Sequence, residues 1–130
     1  MTNKELINIA KETLINCYSP YSHFCVSAAL LSKNGNVYKG VNVENSSFSA
    51  TNCAERTAIF SAVANGEKEF EKIVVIGGKN GEVKDFCFPC GVCLQVLSEF
   101  CEKEFEIVLF NGNETKIYTL SQLIPESFKM

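Results

Sequence analysis

The sequence predicts an α/β fold: a three-layer α/β/α arrangement around a mixed five-stranded sheet. Three observations lead there. Strand-like apolar runs alternate with helical patterns in the order αββαβαββ, which implies a sheet covered by helices on its faces. A hairpin stands at each end of that order, and hairpin strands are antiparallel. The middle is a βαβ unit, whose strands are parallel, so the sheet has to be mixed.

Each element has a local reason. Leu6, Ile9, Ala10, Thr13, Leu14 and Cys17 recur at helical spacing, so a first amphipathic helix covers about residues 3–16. Ser19-Pro20-Tyr21-Ser22 ends it. Phe24 to Leu31 is largely apolar and reads as a buried strand, Lys33-Asn34-Gly35-Asn36 as a hairpin turn, and Val37 to Val43 as the return strand. Asn45-Ser46-Ser47-Phe48-Ser49 is a polar loop. Cys53 to Ala64 is a strong helix stopped by Asn65-Gly66. Ile73 to Ile76 is a central strand followed by Gly77-Gly78, and Lys79 to Phe88 is a loop. Gly91 to Phe100 is a helix and Ile107 to Phe110 a strand. Asn111-Gly112 turns into a strand over Thr115 to Tyr118, and Leu120 to Ile124 closes the chain as a short turn or helix.

The composition narrows the function. A length of 130 residues with no linker, repeat or low-complexity tract reads as one domain, residues 1–130. Hydrophobic residues at 46% are enough for a real core. A net charge of −3 gives no overall attraction for nucleic acid or anionic membrane. No uncharged stretch reads as a spanning helix, and Met1-Thr2-Asn3-Lys4-Glu5 lacks a signal-peptide apolar block, so the expected location is the cytoplasm. Seven cysteines in a cytosolic chain point to metal or catalysis rather than disulfides. Cys17, Cys25 and Cys101 lie among apolar residues and read as small buried core residues.

Two segments carry the chemistry. Cys53-Ala54-Glu55 and Pro89-Cys90-Gly91-Val92-Cys93 each open a helix. A helix N-terminus favours thiolate, the zinc-binding form of cysteine. A crossover can bring two such ends side by side. Cys53, Cys90 and Cys93 would then hold Zn²⁺ with one position open, and Glu55 beside an open zinc is equipped to handle the protons of an activated water. Three thiolates leave excess negative charge, and Arg56, one helical turn from Cys53, is placed to offset it. A closed site is the alternative, because Cys87, Cys90 and Cys93 could act together with Cys53 or Cys101 as a four-thiolate zinc or an iron–sulfur cluster; the ferredoxin spacing does not match. Gly77-Gly78-Lys79-Asn80-Gly81 lacks the phosphate-loop pattern and reads as a turn. His23 reads as a surface or satisfied histidine, and Ser46 and Ser47 have no triad partners in a recognisable order.

Cys53-Ala54-Glu55-Arg56-Thr57-Ala58 and Pro89-Cys90-Gly91-Val92-Cys93 resemble the small, homotetrameric cytidine deaminases of nucleoside salvage. The resemblance covers nearly the whole chain. It includes Ser19-Pro20-Tyr21-Ser22-x-Phe24, Gly40-Val41-Asn42-Val43-Glu44-Asn45, and Leu123-Ile124-Pro125 with Phe128. It implies one zinc per chain on Cys53, Cys90 and Cys93, with Glu55 as proton shuttle. It implies that the Ala54 backbone contacts the base, Phe24 packs against the ring, and Asn42 and Glu44 bind the ribose 3′-hydroxyl. Positions 42 and 44 would share one face of a strand, which suits that pairing. Phe128 would reach a neighbouring subunit's site within a homotetramer. The implied reaction is hydrolytic deamination of cytidine and deoxycytidine, and the implied partners are a nucleoside and further copies of the chain, with no polynucleotide and no membrane.

Three departures from the family pattern stand out. Leu94 replaces a usual Arg, so Arg56 alone would offset the thiolates. Phe88, preceded by Cys87, replaces a usual Ser before Pro89-Cys90. Cys25 and Ser27 replace residues usually Lys or Pro and Gly on the Phe24 strand. A blasticidin S type of deaminase is the nearest rival within the fold, and Glu44 argues against it. A polynucleotide-editing role is disfavoured by the absence of a basic aromatic groove. A non-catalytic metal or thiol-switch protein on Cys87, Cys90, Cys93 and Cys101 is the rival from another class.

Overall fold

The computed structural model describes residues 1–130. Helix α1 spans Asn3–Thr13 and opens with a capping box, in which Thr2 accepts from the Glu5 amide and Glu5 reaches back to the Thr2 amide. A tight turn over Leu14–Asn16 ends it. Strand β1 (Phe24–Ser32) pairs antiparallel with β2 (Val37–Val41) and, on its other edge, with β3 (Phe70–Lys79). Helix α2 (Ala54–Ala64) links β2 to β3, and α3 (Gly91–Phe100) links β3 to the parallel strand β4 (Glu106–Phe110). Strand β5 (Thr115–Thr119) returns antiparallel on β4, and a short α4 (Leu120–Leu123) follows. The sheet order is β2-β1-β3-β4-β5, a mixed five-stranded sheet as the element order predicts.

The sheet separates two cores. On one face Leu6, Ile7 and Ala10 of α1, with Leu14 of the turn after it, meet Ala29, Leu31, Val74, Ile76 and Val108. On the other, Ala58, Ile59, Ala62, Leu94 and Leu97 of α2 and α3 meet Ala28, Leu30, Ile73, Val75, Ile107 and Leu109. Alternate residues of each strand feed opposite faces, which is why β1 and β3 read as unbroken apolar runs. Ser27, buried within β1, satisfies its hydroxyl on the Ala10 carbonyl at 2.6 Å and so ties α1 to the sheet.

The strand ends form the functional edge. Strand β1 runs opposite to β2 and β3, so its first residues lie between the C-terminal ends of both: Ser27 faces Val41 and Phe24 faces Lys79. Both helices that follow β2 and β3 therefore start at the same edge of the sheet, where α/β proteins bind ligands.

Four expectations change. Strand β3 is longer than expected and contains Gly77 and Gly78, because the chain folds back over it: a Cβ at Gly78 would lie 1.8 Å from the Glu82 carbonyl. The glycines thus serve close approach within a strand. Strand β2 ends at Val41, and Val43 bridges separately to Tyr18 and Asn52, which lifts Asn42 and Glu44 out of the regular ladder. The polar loop after it holds a short helical turn over Phe48–Ala50. Cys17 and Cys25 are half-buried and joined as a disulfide across the 18–24 loop, rather than being separate core thiols. Their Cα atoms are 5.6 Å apart, inside the bridging window, because the loop returns to the helix end it left.

One glycine sets how closely α2 can sit on the sheet. A Cβ at Gly40 would fall 2.1 Å from the Ala54 carbonyl and 2.6 Å from the Ala58 amide. Gly40→Ala is therefore expected to push α2 off β2 and destabilise the fold by about 3 kcal/mol. Gly91→Ala, where a Cβ meets nothing within 4 Å, should stay within about 0.5 kcal/mol. Denaturant midpoints of the two variants check this contrast.

Candidate active site

Three sulfurs converge where α2 and α3 begin. Cys53 is the N-cap of α2 and Cys90 the N-cap of α3, both with extended backbone. Cys93 lies one turn into α3 and is fully buried. Their Sγ atoms are 3.9 Å apart for Cys53–Cys90 and 3.7 Å for Cys90–Cys93, and all three lie within 4.8 Å of one another. Zinc–sulfur bonds of about 2.3 Å in a tetrahedron place sulfurs roughly 3.8 Å apart, so the residues fit the metal. Cys87 and Cys101 stay outside this cluster. Three protein ligands leave one coordination position open, which separates this arrangement from the closed four-thiolate alternative.

The charge around the sulfurs is arranged asymmetrically. The hydrogen bond from Cys93 and the Arg56 guanidinium together lower the Cys53 thiol to about 5. Arg56 donates from Nη2 to Cys53 Sγ at 3.2 Å. Burial works against the Arg56 charge, but the sulfurs of Cys53 and Cys93 outweigh it and hold the guanidinium protonated. Leu94 is buried in the core beneath α3, so no charge from that position reaches the cluster. Cys87 is a neutral thiol, pushed up to about 12 by burial and then by the nearby Glu55 and Cys53 charges.

Glu55 follows two residues after Cys53 and is only 3% exposed. Burial lifts its carboxyl to about 7, and its Oε1 has no hydrogen-bond partner in the protein. A buried carboxylate oxygen without a partner is costly, and such groups concentrate where chemistry occurs. The Ala54 beside it is fully buried, pinned by Gly40.

A second group of polar atoms lies at the same sheet edge. Asn42 Oδ1 accepts from the Val26 amide at 2.9 Å, and its Nδ2 donates to the Phe24 carbonyl at 2.7 Å. Glu44 Oε1 accepts from the amides of Tyr21 and Ser22 at 3.0 and 3.1 Å, and Oε2 accepts from the Ser22 hydroxyl. The Ser22 bond holds Glu44 below the ordinary carboxylate value. One Asn42 N–H and one lone pair of Glu44 Oε2 are left over by this accounting. Phe24 is 40% exposed and edges a cavity of about 160 Å³ together with Gly77, Phe86 and Cys87. Phe88 is half-exposed, its ring 5.5 Å from that of Tyr118. Phe128 is 70% exposed, and its carbonyl accepts from Gln95 of α3. His23, exposed and at φ 60°, lies in the tight turn before β1.

Sequence reasoning missed the hydrogen-bonding part of Ser22. Its spacing to Phe24 suits a hydroxyl turn, but its bond to a carboxylate 22 positions away leaves no sequence trace.

The model of the cytidine and deoxycytidylate deaminase zinc-binding region matches residues 1–109. The chain belongs to that family. The cytidine deaminase of Sporosarcina psychrophila is 41% identical over 129 residues, covering 98% of this chain and 92% of its own. The crystal structure of a cytidine deaminase from Burkholderia pseudomallei superposes with a TM-score of 0.91 at 42% identity, covering 98% of this chain and all of that one. A blasticidin-S deaminase from Bacillus cereus is 34% identical, over 93% of this chain and 88% of its own. The family is zinc-binding, which agrees with the sulfur geometry.

With Leu94 apolar, Arg56 carries the compensation of the thiolates. Arg56→Gln is expected to weaken zinc binding by about 10- to 100-fold, read by competition with a chromophoric chelator, with the fold retained by circular dichroism.

Proposed function

We propose that the chain hydrolytically deaminates cytidine and deoxycytidine to uridine and deoxyuridine, releasing ammonia, as a step of pyrimidine salvage. The observation that carries this reading is the buried, unpartnered Glu55 carboxylate beside a three-sulfur cluster with one position open. Zinc bound there supplies Lewis acidity that makes water a nucleophile near neutral pH. Cys53, Cys90 and Cys93 hold the metal, and Arg56 orients Cys53. Glu55 takes one proton from the attacking water and delivers it to pyrimidine N3. It then takes the remaining proton from the new C4 hydroxyl and passes it to the departing amine, ending as the carboxylate it began as. The C4–N bond breaks and a C4 carbonyl forms, so the products are the uracil nucleoside and ammonia.

The remaining groups orient the nucleoside. The Ala54 backbone meets the base and Phe24 packs on its ring. One hydroxyl can donate to Glu44 Oε2 while accepting from Asn42 Nδ2, which uses both groups left over on the protein side. That donor–acceptor pair favours a ribosyl ligand over a blasticidin S type substrate.

The reading extends to the assembly. We take residues 1–130 as one domain working as a homotetramer in the cytoplasm. Phe128 in each chain reaches a neighbour's site; its exposure and that of Phe48, both 70%, support burial by further copies. No helix is long and apolar enough to cross a membrane. Sedimentation analysis distinguishes four chains from one.

Loss of cytidine absorbance with purified protein tests the activity. Glu55→Gln should lower kcat by at least about a hundredfold while the zinc content stays at one per chain; equal turnover in both proteins overturns the role of Glu55. Blasticidin S in the same assay should turn over poorly, and the reverse preference overturns the substrate assignment.

Glu44→Gln should raise KM for cytidine. A substrate lacking the 3′-hydroxyl should lose about a hundredfold or more in kcat/KM in the unaltered protein, because two buried polar groups then go unpaired. Steady-state kinetics on cytidine and 3′-deoxycytidine read both effects.

A further inference from the structure

We propose that Ser22 is a positioning residue for the nucleoside: its hydroxyl joins the backbone that carries Phe24 to the Glu44 carboxylate, and so sets the ring contact and the hydroxyl contact relative to each other. This rests on the reading of Asn42 and Glu44 as the hydroxyl site. The Ser22 oxygen accepts from the Phe24 amide at 3.0 Å and donates its own proton to Glu44 Oε2. The chain of bonds therefore runs Phe24 N–H to Ser22 O–H to carboxylate, with each donor used once. Such linked bonds polarise one another, and the final one is charge-assisted.

The surroundings leave the carboxylate little other freedom. The amides of Tyr21 and Ser22 fill Oε1. The Tyr18 carbonyl accepts from the Glu44 amide, and the Tyr18 amide donates to the Asn42 carbonyl. Lys79 Nζ reaches the Ser22 carbonyl at 3.3 Å, which ties the loop to the end of β3. Oε2 is the oxygen with acceptor capacity to spare, and Ser22 decides which of its lone pairs faces the ligand. Without the hydroxyl, Oε2 loses the one protein bond that orients it, while Oε1 stays on its two amides, and the Phe24 amide loses its acceptor. Ser22 is itself exposed, so its removal leaves the packed core untouched.

The test is a double-mutant cycle on KM and kcat for cytidine, with zinc content and melting point measured for every variant. Ser22→Ala is expected to raise KM about tenfold or more, since a bond to a charged group is lost, with kcat within about twofold. Ser22→Thr, which keeps the hydroxyl, should restore KM. In a Glu44→Gln background, Ser22→Ala should change KM by less than about twofold, because its effect runs through the carboxylate. An unchanged KM in Ser22→Ala, with a raised KM in Glu44→Gln, overturns the assignment of Ser22 alone. Full multiplication of the two effects also overturns it, because Ser22 would then act independently of Glu44. An unchanged KM in both single variants overturns the hydroxyl-site reading and this inference together.

Discussion

The convergence of two helix N-termini on one point is the constraint on which the site depends. Cys53 and Cys90 cap α2 and α3, and their sulfurs meet because β2 and β3 run the same way with β1 between them. Helix α2 can sit that close to the sheet only where the strand beneath lacks a side chain. Gly40 supplies that gap under Ala54 and Ala58. Cys53, the buried Glu55 and the Ala54 backbone are then placed by one contact between helix and strand, and α3 brings Cys90 and Cys93 to them. Free N–H groups and the dipole at both helix starts favour the thiolate form of the ligands.

The same convergence creates an electrostatic problem. Three sulfurs and a carboxyl crowd one point, with Glu55 and Cys93 buried and Cys90 exposed, and as thiolates and carboxylate they would repel one another. Arg56 meets this from within α2, one turn after Cys53, while Leu94 on α3 contributes packing alone. Glu55 is pushed up toward neutrality by its burial, which suits the proton-shuttling role proposed for it. Cys87, although close enough to feel both charges, stays protonated because it is buried without a cation of its own.

The polar pair proposed to bind the ligand hydroxyl rests on a different device. The 18–24 loop closes on itself at Cys17 and Cys25 and wraps Asn42 and Glu44 with backbone bonds from both sides. Preorganised in this way, an amide and a carboxylate present one donor and one acceptor, a pattern a hydroxyl matches and an apolar group does not. A ligand then meets groups already oriented, so binding free energy goes to recognition rather than to ordering the loop.

Much of this could be read from residue order. Periodicity and turn residues placed every major element, since burial on one face or two is written directly into hydrophobic spacing. The sulfur cluster was legible because Cys53 and the Cys90/Cys93 pair each open a helix, although cysteine spacing alone left a closed four-thiolate site open. Less was legible where glycine had a packing role. Gly77 and Gly78 looked like the end of β3, yet they continue it beneath a returning loop. Cys17 and Cys25 looked like core residues, because nothing in their spacing reports that the loop between them folds back. Residue order determined the fold class and singled out the three cysteines that cluster and the Glu55 beside them, all of which follow from local pattern and side-chain chemistry. Tertiary structure alone decided the Ser22–Glu44 bond, the sulfur separations and the burial that lifts Glu55, because each depends on distances between segments remote in sequence.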